Sequence, residues 1–174
     1  MELSRVNQLS YEDFVSTFGN VVEKCPIVAA AVWARRPFGS MDALEDAISD
    51  FIDALPESGR EGILRCHPDL AGRDLRVGTL TQESLKEQAN VGLDALTSEE
   101  ASSMARLNED YKAHFGFPFV ICARMNDKPN IFRQMRARMA NGRAAERERG
   151  IEEVKKICRL RLRDLVHADA RVTL

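Results

Sequence analysis

An excess of charge of one sign is missing from this 174-residue chain: 25 lysines and arginines stand against 27 aspartates and glutamates, a formal net charge of -2. Proteins that grip nucleic acid carry a basic footprint for its phosphates, so no nucleic-acid partner is expected. Long apolar runs are missing too. No stretch reaches the roughly 18 to 20 consecutive apolar residues of a membrane span, and Met1-Glu2-Leu3-Ser4-Arg5 lacks the apolar core of a secretory signal. The expectation is a soluble protein made inside the cell, with no membrane partner. Cys25, Cys66, Cys122 and Cys158 are widely spaced, form no Cys-x-x-Cys and sit beside apolar residues, which suits reduced thiols better than bridges. His67, Asp69, His114 and His167 have no ligand spacing of the His-Glu-x-x-His kind, so no metal site is expected. With no internal repeat and no low-complexity linker, a chain of this length reads as one domain over 1–174, long enough to bury its own core.

What the chain does have is helical periodicity nearly throughout. Ser10 caps a helix carrying Phe14, Phe18, Val21 and Val22 that should run to the Cys25-Pro26 step, where proline opens a short helix ending before Pro37. Ser40 caps a segment with Leu44, Ile48, Phe51, Ile52 and Leu55 on one face. Pro56 opens a short helix toward His67, and residues 69–80 show no period and read as a loop of the kind that can cover a site. Thr81 starts the next helix, stopped by Gly92. Thr97 and Glu100 form a capping box for a helix stopped by Gly116. Phe117 to Ala123 is the one extended apolar segment, and no second strand is evident to pair with it. Asn130 is expected to cap a basic helix through Ala140, and a last long helix should reach about His167. About eight helices in a single all-α domain is the predicted fold.

His67 is the residue best suited to acid/base work. Pro68 pushes it out of the helical region, so it should stand at the end of its helix rather than inside it. There the exposed carbonyls favour a protonated imidazole, and an ordinary histidine already titrates near neutrality, at about 6.5. On its own, such a residue is more often a plain helix terminus than a catalytic group, because general acid/base catalysis needs a partner within reach.

Three other features supply candidate partners. Ser84, Glu87, Gln88 and Val91 share one helix face, where a hydroxyl, a carboxylate and an amide either hold a small polar molecule or make a solvated surface. Phe119, Val120, Ile121, Cys122 and Ala123 offer main-chain groups that must find partners if buried, which an amide-rich ligand would satisfy. In the last helix Arg161 falls within the apolar stripe of Ile151, Val154, Ile157, Cys158, Leu162, Leu165 and Val166. A guanidinium facing a core needs an anion, either a buried carboxylate of the chain or a substrate carboxylate gripped in bidentate fashion. His114 and His167 are weaker candidates, the first beside an apolar stripe and the second near the chain end.

Three stretches, Arg65-Cys-His67-Pro68-Asp69-Leu-Ala-Gly72, Ser84-Leu-Lys-Glu87-Gln88-Ala-Asn-Val-Gly-Leu93 and Phe115-Gly-Phe-Pro-Phe119-Val-Ile-Cys-Ala123-Arg124, together with Phe14 to Glu23, resemble the 2-oxo-4-hydroxy-4-carboxy-5-ureidoimidazoline (OHCU) decarboxylase family over essentially the whole chain. These are ureide-pathway enzymes that make (S)-allantoin in the last step of urate breakdown. The resemblance implies an all-helical homodimer, a ureidoimidazoline substrate, and no cofactor or metal. It implies that His67 is the acid/base residue with Glu87 placed to pair with it. Pro68 would form the pocket wall, Ser84 and Gln88 would hold the ring and ureido group, and the main chain of Phe119 to Ala123 would meet the substrate. Arg161 would meet a carboxylate. Peroxisomal residence is also implied, with the cytosol as the alternative, since Val172-Thr173-Leu174 lacks the basic middle residue of a Ser-Lys-Leu address. Two other readings stay open on sequence: a helical interaction module without catalysis, and a related lyase or hydrolase of purine breakdown.

Overall fold

Local capping explains where most of the helices begin. In the computed structural model, which describes residues 1–167, the side chains of Ser10, Ser40, Thr81 and Thr97 each accept a hydrogen bond from the N–H three residues on, satisfying donors the helix cannot satisfy itself. The described residues contain ten α-helices, eight of them seven residues or longer, and no strand. The all-α class is therefore as the periodicity predicts. The chain forms two compact units, Met1–Ser58 with the residues from Lys155 onward, and Gly59–Val154.

The first unit contains α1 (Leu3–Val6), α2 (Tyr11–Phe18), α3 (Pro26–Val32) and α4 (Met41–Asp53). The short α1 carries too few residues to show a period and is not legible in the sequence. Helix α2 stops at Phe18, not at the Cys25-Pro26 step. Gly19 and Asn20 are weak helix formers, and the Asn20 side chain takes the Lys24 N–H at 2.8 Å, a local bond that competes with continued helix. Lys24 then adopts a left-handed conformation, φ 49°. Val21 and Val22 still reach the core with Phe14, Phe18, Val28, Leu44, Ile48 and Ile52, all buried. The unit also holds the last part of α10 (Arg143–Leu165), whose Cys158 and Leu162 are buried.

The second unit takes most of α5 (Glu57–Arg65), then α6 (Arg73–Val77), α7 (Gln82–Asn90), α8 (Ser98–Phe115), α9 (Lys128–Arg138) and the first half of α10. Residues 69–80 are not wholly loop, because α6 occupies five of them; one turn and a half is too short for a period to register. The cap of α9 is Asp127, whose carboxylate takes the Asn130 N–H at 2.8 Å, so the expected Asn130 cap is shifted by three residues. Proline at the start of α9 fits this earlier beginning. Gly116 ends α8 with φ 79°, a left-handed turn that glycine adopts without steric cost. The chain from Phe117 to Cys122 then runs extended and unpaired with any strand, every residue buried. Tyr111 anchors it, its ring 4.6 Å from Phe115 and 5.3 Å, edge-on, from Phe119, distances at which aromatic pairs attract.

The four cysteines form no disulfide, as their spacing predicts. No helix among the described residues is long and apolar enough to cross a membrane. Val172-Thr173-Leu174 lies outside the described residues.

Candidate active site

His67 stands two residues beyond the end of α5, and it is half-buried. The Ile63 carbonyl, left open by the end of the helix, accepts from Cys66 N–H at 3.1 Å and lies 3.0 Å from His67 Nδ1. A carbonyl only accepts, so Nδ1 carries the hydrogen. In the neutral ring the lone pair is then on Nε2, because a second-atom hydrogen bond fixes the tautomer. Sequence spacing predicts a histidine at a helix terminus; the structure adds which nitrogen is basic.

The residues after His67 are pinned one by one. Asp69 pairs with Lys112 at 2.6 Å, Leu70 carbonyl accepts from the buried Asn108 amide at 2.9 Å, and Ala71 N–H donates to Gln88 Oε1 at 2.9 Å. Ala71 has φ 47°, a left-handed conformation disfavoured for any residue with a Cβ, and these bonds hold it there. Gly72 completes the turn: a Cβ at that position would lie 2.6 Å from Asp69 Cβ. A cavity of about 370 Å³ opens beside the segment, lined by His67, Pro68 and Asp69 with Lys112 of α8 and Phe117 and Pro118 of the extended chain.

Helix α7 contributes Ser84 and Gln88, both buried, with Glu87 half-buried between them. The face is therefore not simply solvated. Helix α7 packs against the short turn Ala123–Met125 at the end of the extended segment, and Gln88 reaches the His67 loop through Ala71. Three of the sequence features thus meet within the second unit: the loop after His67, the α7 face and the Phe119 to Ala123 chain. The lining of the 370 Å³ cavity includes His67 and Pro68 but none of Ser84, Glu87, Gln88 or Phe119 to Ala123.

Arginines bind three carbonyls from the end of α8 into the extended segment. Arg143 Nε donates to Phe115 carbonyl at 3.0 Å, Arg65 Nε to Gly116 carbonyl at 3.0 Å and Arg138 Nη1 to Val120 carbonyl at 2.9 Å. Asn126 takes Cys122 carbonyl at 2.9 Å. Buried carboxylates hold the guanidinium groups in turn. Glu61 receives Arg143, Arg147 and Arg65, and Glu146 receives Arg138, Tyr111 and Asn141. Burial alone would raise the Glu61 carboxyl, but its hydrogen bonds to Arg143 and Arg147 outweigh this and hold it below the usual carboxylate range. Tyr111 is driven the other way, well above the ordinary phenol range, by burial first and by Glu146 second. The Val120 and Cys122 carbonyls are thus paired, whereas the N–H groups of Phe119, Val120 and Ile121 have no chain acceptor among the described residues. Buried main-chain donors in that state are rare and suit a ligand or water rich in acceptors.

Arg161 belongs to the first unit. It is 4% exposed and donates to Glu23 at 2.8 Å and to Asn20 carbonyl at 2.9 Å. Of the two anions the sequence left open, a carboxylate of the chain is therefore present. His114 is exposed and edge-on to Phe115, and His167 is exposed. Sequence reasoning missed Arg65, Arg138, Arg143, Lys112 and Asn108 as supports of the site. A usable signal existed only for the four-residue spacings Glu61–Arg65 and Arg143–Arg147, which place those groups on single helix faces.

Comparison with known proteins gives a consistent answer. A family profile described as OHCU decarboxylase matches residues 7–163. The chain is 58% identical to 2-oxo-4-hydroxy-4-carboxy-5-ureidoimidazoline decarboxylase of Amia calva, over 99% of each chain. It is 54% identical to the protein of the same name from Xenopus laevis, covering 95% of this chain and 94% of that one. A solved (S)-allantoin synthase superposes with a TM-score of 0.76 at 19% identity, over 95% of this chain and 54% of the other; at that identity the likeness speaks for the fold.

Proposed function

This chain belongs to the OHCU decarboxylase family, and we propose that, as a carboxy-lyase, it converts 2-oxo-4-hydroxy-4-carboxy-5-ureidoimidazoline to (S)-allantoin and carbon dioxide, with His67 as acid/base group and Glu87 as its partner. The observation that carries the assignment is the Ile63 carbonyl against His67 Nδ1 at 3.0 Å. It leaves the basic nitrogen, Nε2, for a proton of the substrate.

The chemistry asks for little more than positioning and proton transfer. The substrate carbon that bears the carboxylate also bears a hydroxyl and adjoins a ring C=N. When the C–C bond to the carboxylate breaks and carbon dioxide leaves, its electron pair forms a C=C bond with the neighbouring carbon, and the imine π pair moves to nitrogen. The substrate supplies its own electron sink, so the protein need only move protons. Nε2 of His67 takes the hydroxyl proton, the oxygen becomes a carbonyl as the C=C pair takes that proton at the neighbouring carbon to create the stereocentre, and the ring nitrogen that received the imine pair takes one further proton from water, matching the charge the carboxylate carried. Glu87 stabilises the imidazolium between the two transfers. Ser84 and Gln88 hold the ring and ureido group, Pro68 forms a wall, and the N–H groups along Phe119 to Ala123 bind substrate carbonyl oxygens. Arg161 pairs with Glu23 at 2.8 Å, and its part in meeting a substrate carboxylate is proposed on the family resemblance alone.

The test is to generate the unstable urate oxidation product in situ and follow circular dichroism with and without protein. Optically active allantoin forming faster with protein is the expected result. Racemic product at the spontaneous rate would contradict the proposal and favour a non-catalytic interaction module. We also propose, on the family resemblance, a homodimer, tested by light scattering for twice the 19.5 kDa chain mass. Peroxisomal residence is proposed on the same ground with the cytosol as alternative, tested by imaging the chain tagged at its amino end.

A further inference from the structure

We propose that Arg138 is a positioning residue of the active site, aiming the Ile121 N–H at the substrate by clamping the peptide it shares with Val120; this rests on the reading that the Phe119 to Ala123 main chain meets the substrate. Arg138 is 4% exposed, and Glu146 is fully buried. Its Nε donates to Glu146 Oε1 at 2.5 Å, its Nη1 to Val120 carbonyl at 2.9 Å, and its guanidinium lies over the Phe119 ring, 4.3 Å from the centroid. Tyr111 hydroxyl and Asn141 amide hold the same carboxylate at 2.6 and 2.9 Å. One cation therefore fixes a carbonyl and a ring on successive residues of a segment that has no strand beside it.

The consequence follows from peptide geometry. The Val120 carbonyl and the Ile121 N–H belong to one planar unit and point in opposite directions, so whatever fixes the first aims the second. The Ile121 N–H has no chain acceptor among the described residues, which is the condition of a donor reserved for a ligand. Stability is a poor explanation for the pair. Buried ion pairs are often replaceable by apolar side chains without loss, and the buried Nη2 of Arg138 has no hydrogen-bond partner among the described residues, a further cost. The guanidinium does what an apolar side chain cannot, since its rigid fork serves carboxylate and carbonyl at once while its plane stacks on a ring.

The test compares wild type with Arg138→Lys, which keeps the charge beside Glu146 but cannot also reach Val120 and cover Phe119, and with Tyr111→Phe, which loosens Glu146 without removing a charge. Each folded protein is assayed for kcat and KM with the in situ substrate, and the Ile121 amide is followed by NMR during titration with (S)-allantoin. Loss of an interaction made equally in ground and transition states raises KM and spares kcat. Arg138→Lys should raise KM by about tenfold or more with kcat within about threefold, and should move or broaden the Ile121 cross-peak; Tyr111→Phe should do the same to a smaller extent. A merely structural role predicts a lower unfolding midpoint with wild-type KM and an unmoved Ile121 amide in both variants, and that outcome overturns the proposal. If wild-type Ile121 itself fails to respond to (S)-allantoin, the reading of the site fails, and the proposal fails with it.

Discussion

Replacing Glu61 with Gln should cost the protein about 2 to 3 kcal/mol, and the cost should vanish in acid. Glu61 is 6% exposed and sits among three arginines. Arg143 grips it with both Nη atoms at 2.7 and 2.8 Å, Arg147 approaches at 3.2 Å and Arg65 at 3.3 Å. The three are not equal. The Arg65 and Arg143 side chains are 49% and 51% exposed, so water screens their loss and each accounts for no more than about 1 kcal/mol. Arg147 is 7% exposed, and removing the anion from a buried cation ordinarily costs about 3 to 5 kcal/mol. Glu148, 3.4 Å from Arg147 Nε and half exposed, relieves part of that, which brings the sum below the usual range. Urea unfolding followed at 222 nm should show a lower midpoint at neutral pH with an unchanged slope. The sign with pH follows from the depressed Glu61 carboxyl. A group whose folded pKa lies below its unfolded value of 4.5 stabilises fully above that value and loses the contribution as pH falls through the folded pKa. Wild type and variant should therefore converge as pH drops below about 4.5. A gap under about 1 kcal/mol at pH 7, or one that persists unchanged into acid, would refute the reasoning.

Thr97→Ala removes one half of the capping box of α8 and should lower stability by about 1 kcal/mol, read as a fall in thermal midpoint of about 2 to 4 °C for a chain of this size. Burial, ahead of all other causes, pushes the Cys158 thiol up to about 12. Iodoacetamide at pH 8 should leave Cys158 unlabelled in the folded protein and label it once urea unfolds the chain, so rapid native labelling seen by mass spectrometry would show the burial to be wrong. Glu23→Gln strips the counter-charge from Arg161, itself 4% exposed, and should destabilise by about 3 kcal/mol; near-wild-type stability would mean that Arg161 answers to something other than Glu23.

The helical skeleton was legible because its signals are local. Ser10, Ser40, Thr81 and the Thr97–Glu100 box cap the helices their positions predict, and Gly92 and Gly116 turn left-handed where they should stop one. The misplacements also have local causes: Asn20 captures Lys24 and ends α2 early, and Asp127 caps α9 ahead of Asn130. What no local signal carries is the long-range pairing within each unit. Arg161 meets Glu23 across 138 residues, Arg147 meets Glu61 across 86, and Gln88 reaches Ala71 across 17. The sequence showed that Phe119 to Ala123 lacks a partner strand, yet it could not show that arginines bind the Phe115, Gly116 and Val120 carbonyls. Nor could it show that a single open carbonyl at Ile63 selects the tautomer of His67.

That tautomer is the heart of the proposed mechanism, and His67→Asn probes it most directly, since an amide donor can still face Ile63 but offers no basic nitrogen on the far side. The measurement is the rate at which optical activity appears from freshly generated substrate, with helical content checked at 222 nm. The account predicts a folded protein whose stereospecific rate falls by about 100- to 10,000-fold, the usual worth of a positioned acid/base group. A folded His67→Asn protein that makes (S)-allantoin at the wild-type rate would contradict it.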